Sequence, residues 1–334
     1  MKAVIICGRA FGDAIMTAFF LKELERKHHR IKFDIITKKE YKYFFENISI
    51  VESICFLSFP YMNVRKNFGM RFLKGSIKDY LEIRRNKIHY DYAVEFLGDI
   101  RERKILTLLN IDKIYSIERK DGNQFNHLIH KGLSKNVTCV EIDKGMVNFY
   151  EQMNVLSKML SFGILYSTKI EFITVKKIGI HPFASQFTKA WSFDKWNKLI
   201  SLLLNDGYKI VVFCAQAEKD IAIDKIIFRN NIELICGNLK EFLNELSKVD
   251  LLVGLESFSI HAASFLNIPS ISLVGAQNGN LWKSPTTEII QGDTSCSYWP
   301  CYNKPKKCKC ECINSISVDD VYKTIKMSKR HVLV

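Results

Sequence analysis

The sequence predicts an α/β protein built of two Rossmann-like domains whose parallel sheets face one another across a cleft. Short apolar segments rich in β-branched residues alternate with segments of helical periodicity. This alternation starts again near residue 178, after a connecting stretch. The length agrees, because 334 residues correspond to two domains of roughly 150 residues each. A content of 47% hydrophobic residues is enough for two cores.

The first half of the chain opens with a buried strand. Residues 3–7 are continuously apolar and end at Gly8, which is the pattern of a strand covered on both faces. Apolar residues at helical spacing then predict a helix that ends at Arg26. The other predicted elements of this half are strands at 31–36, 53–57, 92–96 and 114–117 and helices at 101–109 and 147–160.

The second half repeats the same order. It begins with a strand at 178–180 and a helix at 193–205. The elements predicted after these are strands at 209–214, 233–235, 250–253 and 270–274 and helices after Glu218, at 239–247 and at 259–266. We therefore place an N-terminal domain at 1–165 and a C-terminal domain at 175–317. A closing helix at 318–334 is expected to pack back on the N-terminal domain.

The turn after the first strand has the sequence GRAFGD, residues 8–13. Its glycines permit a close backbone approach, and the following helix offers free N–H groups to an anion. The turn matches neither the dinucleotide fingerprint nor the P-loop, and Thr37-Lys38-Lys39 offers no acid for a cofactor ribose. A dinucleotide cofactor is therefore disfavoured. For Asp13, two interpretations stay open: a helix N-cap or a catalytic base.

Two further turns of this kind occur in the second half. In the turn after residue 180, Ser185 and Thr188 offer hydroxyl groups and Lys189 a compact positive charge, which together suit a diphosphate. The alternative is an ordinary solvated lysine. In the turn after residue 255, Glu256 and His261 stand five residues apart. A histidine at the start of a helix, like His261, is more often a hydrogen-bonded structural residue than a catalytic one. Burial of the Glu256 carboxylate, in contrast, is costly unless the carboxylate has a partner.

Four segments in this order resemble the ADP-heptose:lipopolysaccharide heptosyltransferase family. They are GRAFGD, HPFAS with the downstream Lys189 and Trp191, FCAQAEKD at 213–220, and LESFSIHAASFLNIPSISLVG at 255–275. The resemblance covers nearly the whole chain. It implies an inverting, metal-independent glycosyltransferase of the GT-B fold, with an acceptor-binding N-terminal domain and a C-terminal domain that binds a nucleotide-sugar. It also implies that no cofactor is required besides this donor substrate.

The resemblance also implies residue roles. Asp13 matches the family's general base. The implied donor-binding residues are Gly12, Ser185, Thr188, Lys189, Glu218, Glu256, Ser257 and His261. Within this set, Ser185 and Lys189 match the diphosphate site, and Glu218 matches the acid that contacts the ribose. Phe183 and Phe258 replace glycines of the family pattern, and we expect both to add bulk beside the donor.

The charge of the chain favours anionic partners. The 49 Lys and Arg exceed the 35 Asp and Glu by 14, which suits an acidic glycolipid or glycan acceptor and a peripheral contact with an anionic membrane surface. Basic residues are spread along the chain without a nucleic-acid module, so no nucleic-acid partner is expected. We expect a cytoplasmic protein at the inner face of the bacterial inner membrane. The alternatives are a non-catalytic nucleotide-sugar-binding homologue and a basic nucleic-acid-binding protein.

Five of the ten cysteines crowd one C-terminal segment. They are Cys296, Cys301, Cys308, Cys310 and Cys312. A zinc site built from four of them is one interpretation, but the spacing lacks the paired C-x-x-C pattern that makes such a site specific. No metal site is therefore predicted, and these cysteines stay candidates for a structural element.

Overall fold

The computed structural model divides the chain into two compact units, Met1–Tyr166 and Ser167–Val334. The described residues are 1–57 without 9 and 29, 78–96 without 80, 84 and 86, 100–119, 137–142, 148–327 without 164, 167, 173 and 302–307, and 329–333. Within these residues, no helix combines the length and the apolar composition that crossing a membrane requires.

The first unit contains a six-stranded parallel sheet. Its strands are β1 (Lys2–Cys7), β2 (Lys32–Thr37), β3 (Val51–Phe56), β4 (His89–Glu95), β5 (Asn110–Arg119) and β6 (Val137–Ile142). They are ordered β3-β2-β1-β4-β5-β6. Its helices are α1 (Phe11–Lys27), α2 (Ile100–Leu106) and α3 (Phe149–Met159), and a 3-10 helix spans Lys39–Phe44.

The second unit repeats this sheet. Its strands are β8 (Lys177–His181), β9 (Lys209–Cys214), β10 (Ile232–Cys236), β11 (Leu251–Leu255), β12 (Ser270–Val274) and β13 (Thr287–Gln291). The order is β10-β9-β8-β11-β12-β13. Its helices are α4 (Phe193–Asn205), α5 (Lys219–Lys225), α6 (Leu239–Leu246), α7 (Phe258–Phe265), α8 (Glu311–Asn314) and α9 (Val318–Lys326). Two further strands, β7 (Thr168–Phe172) and β14 (Lys329–Leu333), pair antiparallel.

The predicted α/β class with parallel sheets is confirmed. In the second unit the predicted and observed bounds coincide for α4 and β9. Strands β6, β7, β13 and β14 were not predicted; β6 and β13 lie at sheet edges. An edge strand pairs with only one neighbour, so its sequence carries a weaker buried pattern than a central strand.

Helix α4 anchors the core of the second unit. Ser192 caps it by accepting a hydrogen bond from the backbone N–H of Lys195. Trp196, Leu199, Ile200 and Leu203 recur at helical spacing and are fully buried or nearly so. Beside them, the indole N–H of Trp191 donates to the carbonyl oxygen of Ile316 at 3.1 Å. The turn that carries Lys189 is thereby joined to this core.

The closing helix α9 belongs to the second unit and packs against α4. The expected packing of residues 318–334 on the N-terminal domain stays a prediction. Val321 and Ile325 are buried in the same hydrophobic cluster as Trp196. Lys326 of α9 pairs with Asp206 at the end of α4 at 2.9 Å. The helix docks here because its apolar face completes the core beside α4.

The strand order fixes where a site can form. In both sheets the chain reverses its direction of growth beside the first strand, between β1 and β4 and between β8 and β11. Loops that leave neighbouring strands in opposite directions open a crevice at the carboxyl edge of the sheet. The turns after β1, β8 and β11 all lie at such points.

We predict that Ile325→Ala destabilises the second unit by about 2–4 kcal/mol, because the substitution leaves a cavity between α9 and α4. Met327→Ala is the matched control, since Met327 follows the same helix but is 66% exposed. Urea unfolding followed by tryptophan fluorescence measures both. Equal stabilities of the two variants would contradict the docking of α9.

Candidate functional site

The turns after β8 and β11 bring charged side chains together in the second unit. After β8, a 3-10 turn at Phe187–Lys189 places Thr188 in the interior with no exposed surface. After β11, Glu256 and Ser257 precede α7, which carries His261 in its first turn. Because β8 and β11 are paired neighbours, these two turns lie side by side.

Lys189 and Glu256 form an ion pair at the centre of this arrangement. The ammonium nitrogen lies 3.6 Å from Glu256 Oε2, and the two side chains are only 15% and 11% exposed. Burial raises the pKa of Glu256 from 4.5 to about 7, although the charge of Lys189 lowers it. Within the described residues, Glu256 Oε2 accepts no hydrogen bond. This oxygen faces the ammonium group of Lys189.

His261 completes the cluster. It is 8% exposed, and its ring centre lies 6.4 Å from that of Trp282. Burial, and secondly the charge of Lys189, lowers the pKa of His261 to about 4. The imidazole is consequently neutral near pH 7 and serves as a hydrogen-bonding group without a charge.

A small cavity opens beside these groups. Side chains from the turns after β11 and β12 contribute to its lining, among them Glu256, Ser257, His261, Trp282 and Lys283. The hydroxyl groups of Ser257 and Ser259 lie 2.9 Å apart. Trp282 and Lys283 were missed in the sequence, because they follow β12 in a stretch without a recognised motif. The presence of a tryptophan and a lysine in a polar turn was the sequence signal that could have identified them as site residues.

Ser185 and Glu218 lie outside the Lys189–Glu256–His261 cluster. Ser185 is exposed in the turn after β8. Glu218 follows β9, and its Oε2 atom accepts a hydrogen bond from the backbone N–H of Ala215 at 2.8 Å. This contact fixes the carboxylate at the carboxyl edge of the sheet, where the turn after β9 begins. Of the predicted donor-binding residues, Lys189, Glu256 and His261 therefore lie together, whereas Ser185 and Glu218 lie outside their cluster.

The two phenylalanines that replace family glycines pack against other aromatic rings. Phe183 is 7% exposed and packs in a hydrophobic cluster with Cys214 and Ala222. The ring of Phe258 lies 5.8 Å from that of Phe242. The bulk of Phe183 is therefore accommodated in the core of the sheet edge.

The predicted residues of the first unit lie at the start of α1. Gly12 and Asp13 occupy its first turn, where both are half-buried. The N-cap is Ala10, which has no side-chain capping bond. Asp13 is therefore not the N-cap, which was one of the two interpretations. Its carboxylate lies where the helix dipole favours a negative charge.

Buried charges behind the GRAFGD turn were missed in the sequence. The backbone N–H of Gly8 donates to Glu102 Oε1 at 2.6 Å, so this N–H binds a carboxylate of the protein. Glu95 accepts a hydrogen bond from Ser116 Oγ at 2.7 Å and lies 3.7 Å from Arg103 Nε. Glu95, Glu102 and Arg103 are all nearly inaccessible. The four consecutive charged residues at 101–104 resemble the start of a solvated helix, which concealed this role.

Comparison with known proteins agrees with this geometry. The model of glycosyltransferase family 9 (heptosyltransferase) matches residues 152–313, which include all of the second-unit site residues. This region is therefore similar to a glycosyltransferase family 9 domain. The predicted resemblance to the heptosyltransferases is thereby confirmed, for a divergent sequence.

Individual relatives extend the match. Lipopolysaccharide heptosyltransferase 1 of Campylobacter coli is 22% identical over 98% of both chains. Lipopolysaccharide heptosyltransferase 3 of Escherichia coli K12 is 32% identical over 118 residues, about a third of either chain. The chain thus matches one relative over its whole length and another over only part.

Solved structures show the fold. E. coli heptosyltransferase WaaC with ADP-2-deoxy-2-fluoro heptose has a TM-score of 0.75 at 13% identity, covering 98% of this chain and 99% of that one. A family 9 glycosyltransferase from Veillonella parvula has the same score and identity, covering 98% and 96%. The predicted GT-B fold is confirmed.

We predict that Glu256→Gln changes how stability depends on pH. The pKa of Glu256 is about 7 in the folded chain and about 4.5 in the unfolded chain. The protonated side chain therefore contributes to stability, and this contribution is fully present below pH ~4.5. That contribution is lost as pH rises through the folded pKa. The difference in free energy of unfolding between the variant and the native protein should therefore rise by about 2–3 kcal/mol from pH ~5 to pH ~8, in favour of the variant. Urea unfolding at both pH values measures this gain.

The exposed Glu288 provides the control, as Glu288→Gln on β13. It should shift stability equally at both pH values. A Glu256→Gln profile that runs parallel to that of the native protein would exclude a raised pKa at Glu256.

Proposed function

We propose that this protein is an inverting glycosyltransferase that moves a sugar, a heptose or a related one, from a nucleotide-diphosphate sugar to lipopolysaccharide or another cell-surface glycan. The observation that carries the proposal is the Lys189–Glu256–His261 cluster at the switch point of the second sheet. It combines a half-buried cation, a carboxylate with a free acceptor atom and a neutral imidazole. These groups suit the diphosphate and the hydroxyls of a sugar nucleotide.

On the donor side, Lys189 neutralises the diphosphate and the hydroxyl group of Ser185 donates a hydrogen bond to it. The buried Thr188 contributes to donor binding by holding the turn between them. Glu256 accepts a hydrogen bond from a hydroxyl group of the sugar, and His261 donates one to the diphosphate. Ser257 and the backbone of Gly12 complete the surroundings of the donor. Glu218 accepts from a ribose hydroxyl after exchanging its bond to Ala215.

The reaction needs one general base. The acceptor hydroxyl gives its proton to Asp13 while its oxygen forms a bond to the anomeric carbon. The bond from that carbon to the diphosphate oxygen breaks on the opposite face, which inverts the configuration. The nucleoside diphosphate leaves with the bonding electrons, and Lys189 stabilises the charge that develops. No metal ion is required for these steps.

The donor and acceptor follow from chemistry that the relatives share. E. coli heptosyltransferase WaaC was solved with ADP-2-deoxy-2-fluoro heptose and with ADP, and this supports an ADP-sugar as donor. The surplus of 14 positive charges suits an acidic glycolipid acceptor at an anionic membrane surface. We place the protein in the cytoplasm, at the inner face of the bacterial inner membrane.

The nucleotide is identified by thermal-shift measurements with ADP-, GDP-, UDP- and CMP-sugars. We expect the largest shift with an ADP-sugar, because ligand binding to the native state raises its stability. Absence of a shift with all four, together with tight salt-sensitive RNA binding, would instead support a nucleic-acid-binding protein.

We predict that Asp13→Asn abolishes transfer and leaves donor binding intact. Loss of a general base lowers the rate by about 10²–10⁴-fold, whereas the side chains proposed to bind the donor all lie on the second unit. Transfer is measured as release of the nucleoside diphosphate with an acceptor glycolipid. Asp319→Asn is the control, since Asp319 is an exposed acid in the first turn of α9. Full activity of the Asp13→Asn protein would overturn the mechanism.

We predict that Lys189→Gln weakens binding of the nucleoside diphosphate by about 10–100-fold, the range expected for loss of a charge-assisted hydrogen bond. Isothermal titration measures the affinity. Lys198→Gln serves as the control, because Lys198 is exposed on the nearby helix α4. Equal affinities of the two variants would exclude Lys189 from the donor site.

A further inference from the structure

The cysteine-rich C-terminal segment lines a cavity in the second unit. This cavity has a volume of about 340 Å³. Five cysteines line it: Cys296, Cys301, Cys308, Cys310 and Cys312. All five are free thiols, whereas Cys214 and Cys236 are joined in a disulfide. A concentration of free thiols around one cavity is unusual in a core and is typical of a thiolate-ligated metal.

Four of these thiols are buried or half-buried at the wall of the cavity. Cys301, Cys310 and Cys312 are between 5% and 9% exposed, and Cys308 is half-buried. Cys296 is more exposed than Cys301, so Cys301 is the better candidate ligand of these two.

The backbone of this segment already contains a feature of thiolate sites. The N–H of Cys310 donates to the sulfur of Cys308 at 3.3 Å. Hydrogen bonds of this kind stabilise a metal-bound thiolate and orient it. Cys310 itself adopts a left-handed conformation, with φ of 56°, a conformation that non-glycine residues rarely adopt. The turn thereby directs Cys308, Cys310 and Cys312 to one cavity.

We propose that Cys301, Cys308, Cys310 and Cys312 bind one Zn²⁺ ion as a structural tetrathiolate site. No three cysteine sulfurs of the described residues lie within 4.8 Å of one another, so binding draws the four together. Each thiol gives up its proton to solvent as its sulfur bonds to the ion. Zinc is the fitting ion because a tetrahedral set of four thiolates satisfies it completely.

The cysteine-rich segment contacts the turn after β8 and the start of the turn after β12. The Cys310 thiol lies 3.6 Å from the carbonyl oxygen of Phe187, which begins the 3-10 turn of Lys189. The backbone N–H of Cys301 donates to the carbonyl oxygen of Ala276 at 3.0 Å, and the indole N–H of Trp299 donates to that of Gly275 at 2.9 Å. Zinc bound to this segment would therefore stabilise the two turns that it contacts.

A second group in the described residues has metal-ligating side chains, and it is useful as a control. His89, Asp91 and Asp112 lie within 4.8 Å of one another, but all three are exposed. His89 lies 2.9 Å from Asp112, and Asp91 accepts from the backbone N–H of Lys2. Removal of His89 tests whether any zinc found is only adsorbed at this surface.

The test is metal analysis of the full-length protein, purified without a His-tag from zinc-supplemented cells. We expect about one zinc per chain, and loss of most of it in Cys308→Ser and Cys310→Ser. Cys296→Ser is the matched control from the same cavity, and it should keep its zinc, as should His89→Asn. Replacement of zinc by Co²⁺ should give the charge-transfer absorption of cobalt thiolate in the native protein and in Cys296→Ser.

Folding is followed separately by circular dichroism. If the cysteine variants fail to fold, the native protein alone can still test the proposal. Modification of its cysteine thiols with a mercurial must then release the bound zinc, which a colorimetric assay detects. Native protein without zinc and without a cobalt-thiolate spectrum overturns the proposal. Zinc that remains in both Cys308→Ser and Cys310→Ser overturns it equally.

Discussion

The ion pair of Lys189 and Glu256 is the interaction around which the second unit is organised. Both side chains are largely withdrawn from water, and the pair is separated by 3.6 Å. Burial of a charged pair is costly unless further hydrogen bonds satisfy it, and here Glu256 Oε2 accepts none within the described residues. The raised pKa of Glu256 reflects this cost. A ligand that supplies a hydroxyl and an anion would complete both groups.

The rest of the fold keeps these two charges adjacent. They leave β8 and β11, which are neighbours because the strand order reverses between them. The turn of Lys189 is held from one side by Trp191, which donates to Ile316. It is held from the other by Cys310, which contacts Phe187. The C-terminal segment, from the cysteines to α9, thus supports a site to which it contributes no proposed donor ligand.

The first unit uses buried charge differently. Glu102 binds the backbone N–H of Gly8, and Glu95 is held by Ser116 and Arg103. The hydrogen bond from Gly8 to Glu102 holds the start of the turn that leads into α1. In each unit, charges inside the carboxyl edge of the sheet position a turn at the switch point. The turn after β1 contains the carboxylate of Asp13, whereas the turn after β8 contains the ammonium group of Lys189.

The sequence by itself determined the α/β class, most central strands and helices, and the residues Asp13, Lys189, Glu256 and His261 as candidates, because periodicity and turn chemistry are local. The tertiary structure decided which candidates meet. Lys189 and Glu256 are 67 positions apart in the chain numbering, and only strand pairing joins them. It also decided that Glu102 and Arg103 are buried and that α9 packs on α4. Burial of a charge and the docking of a helix depend on distant partners, which no local pattern encodes.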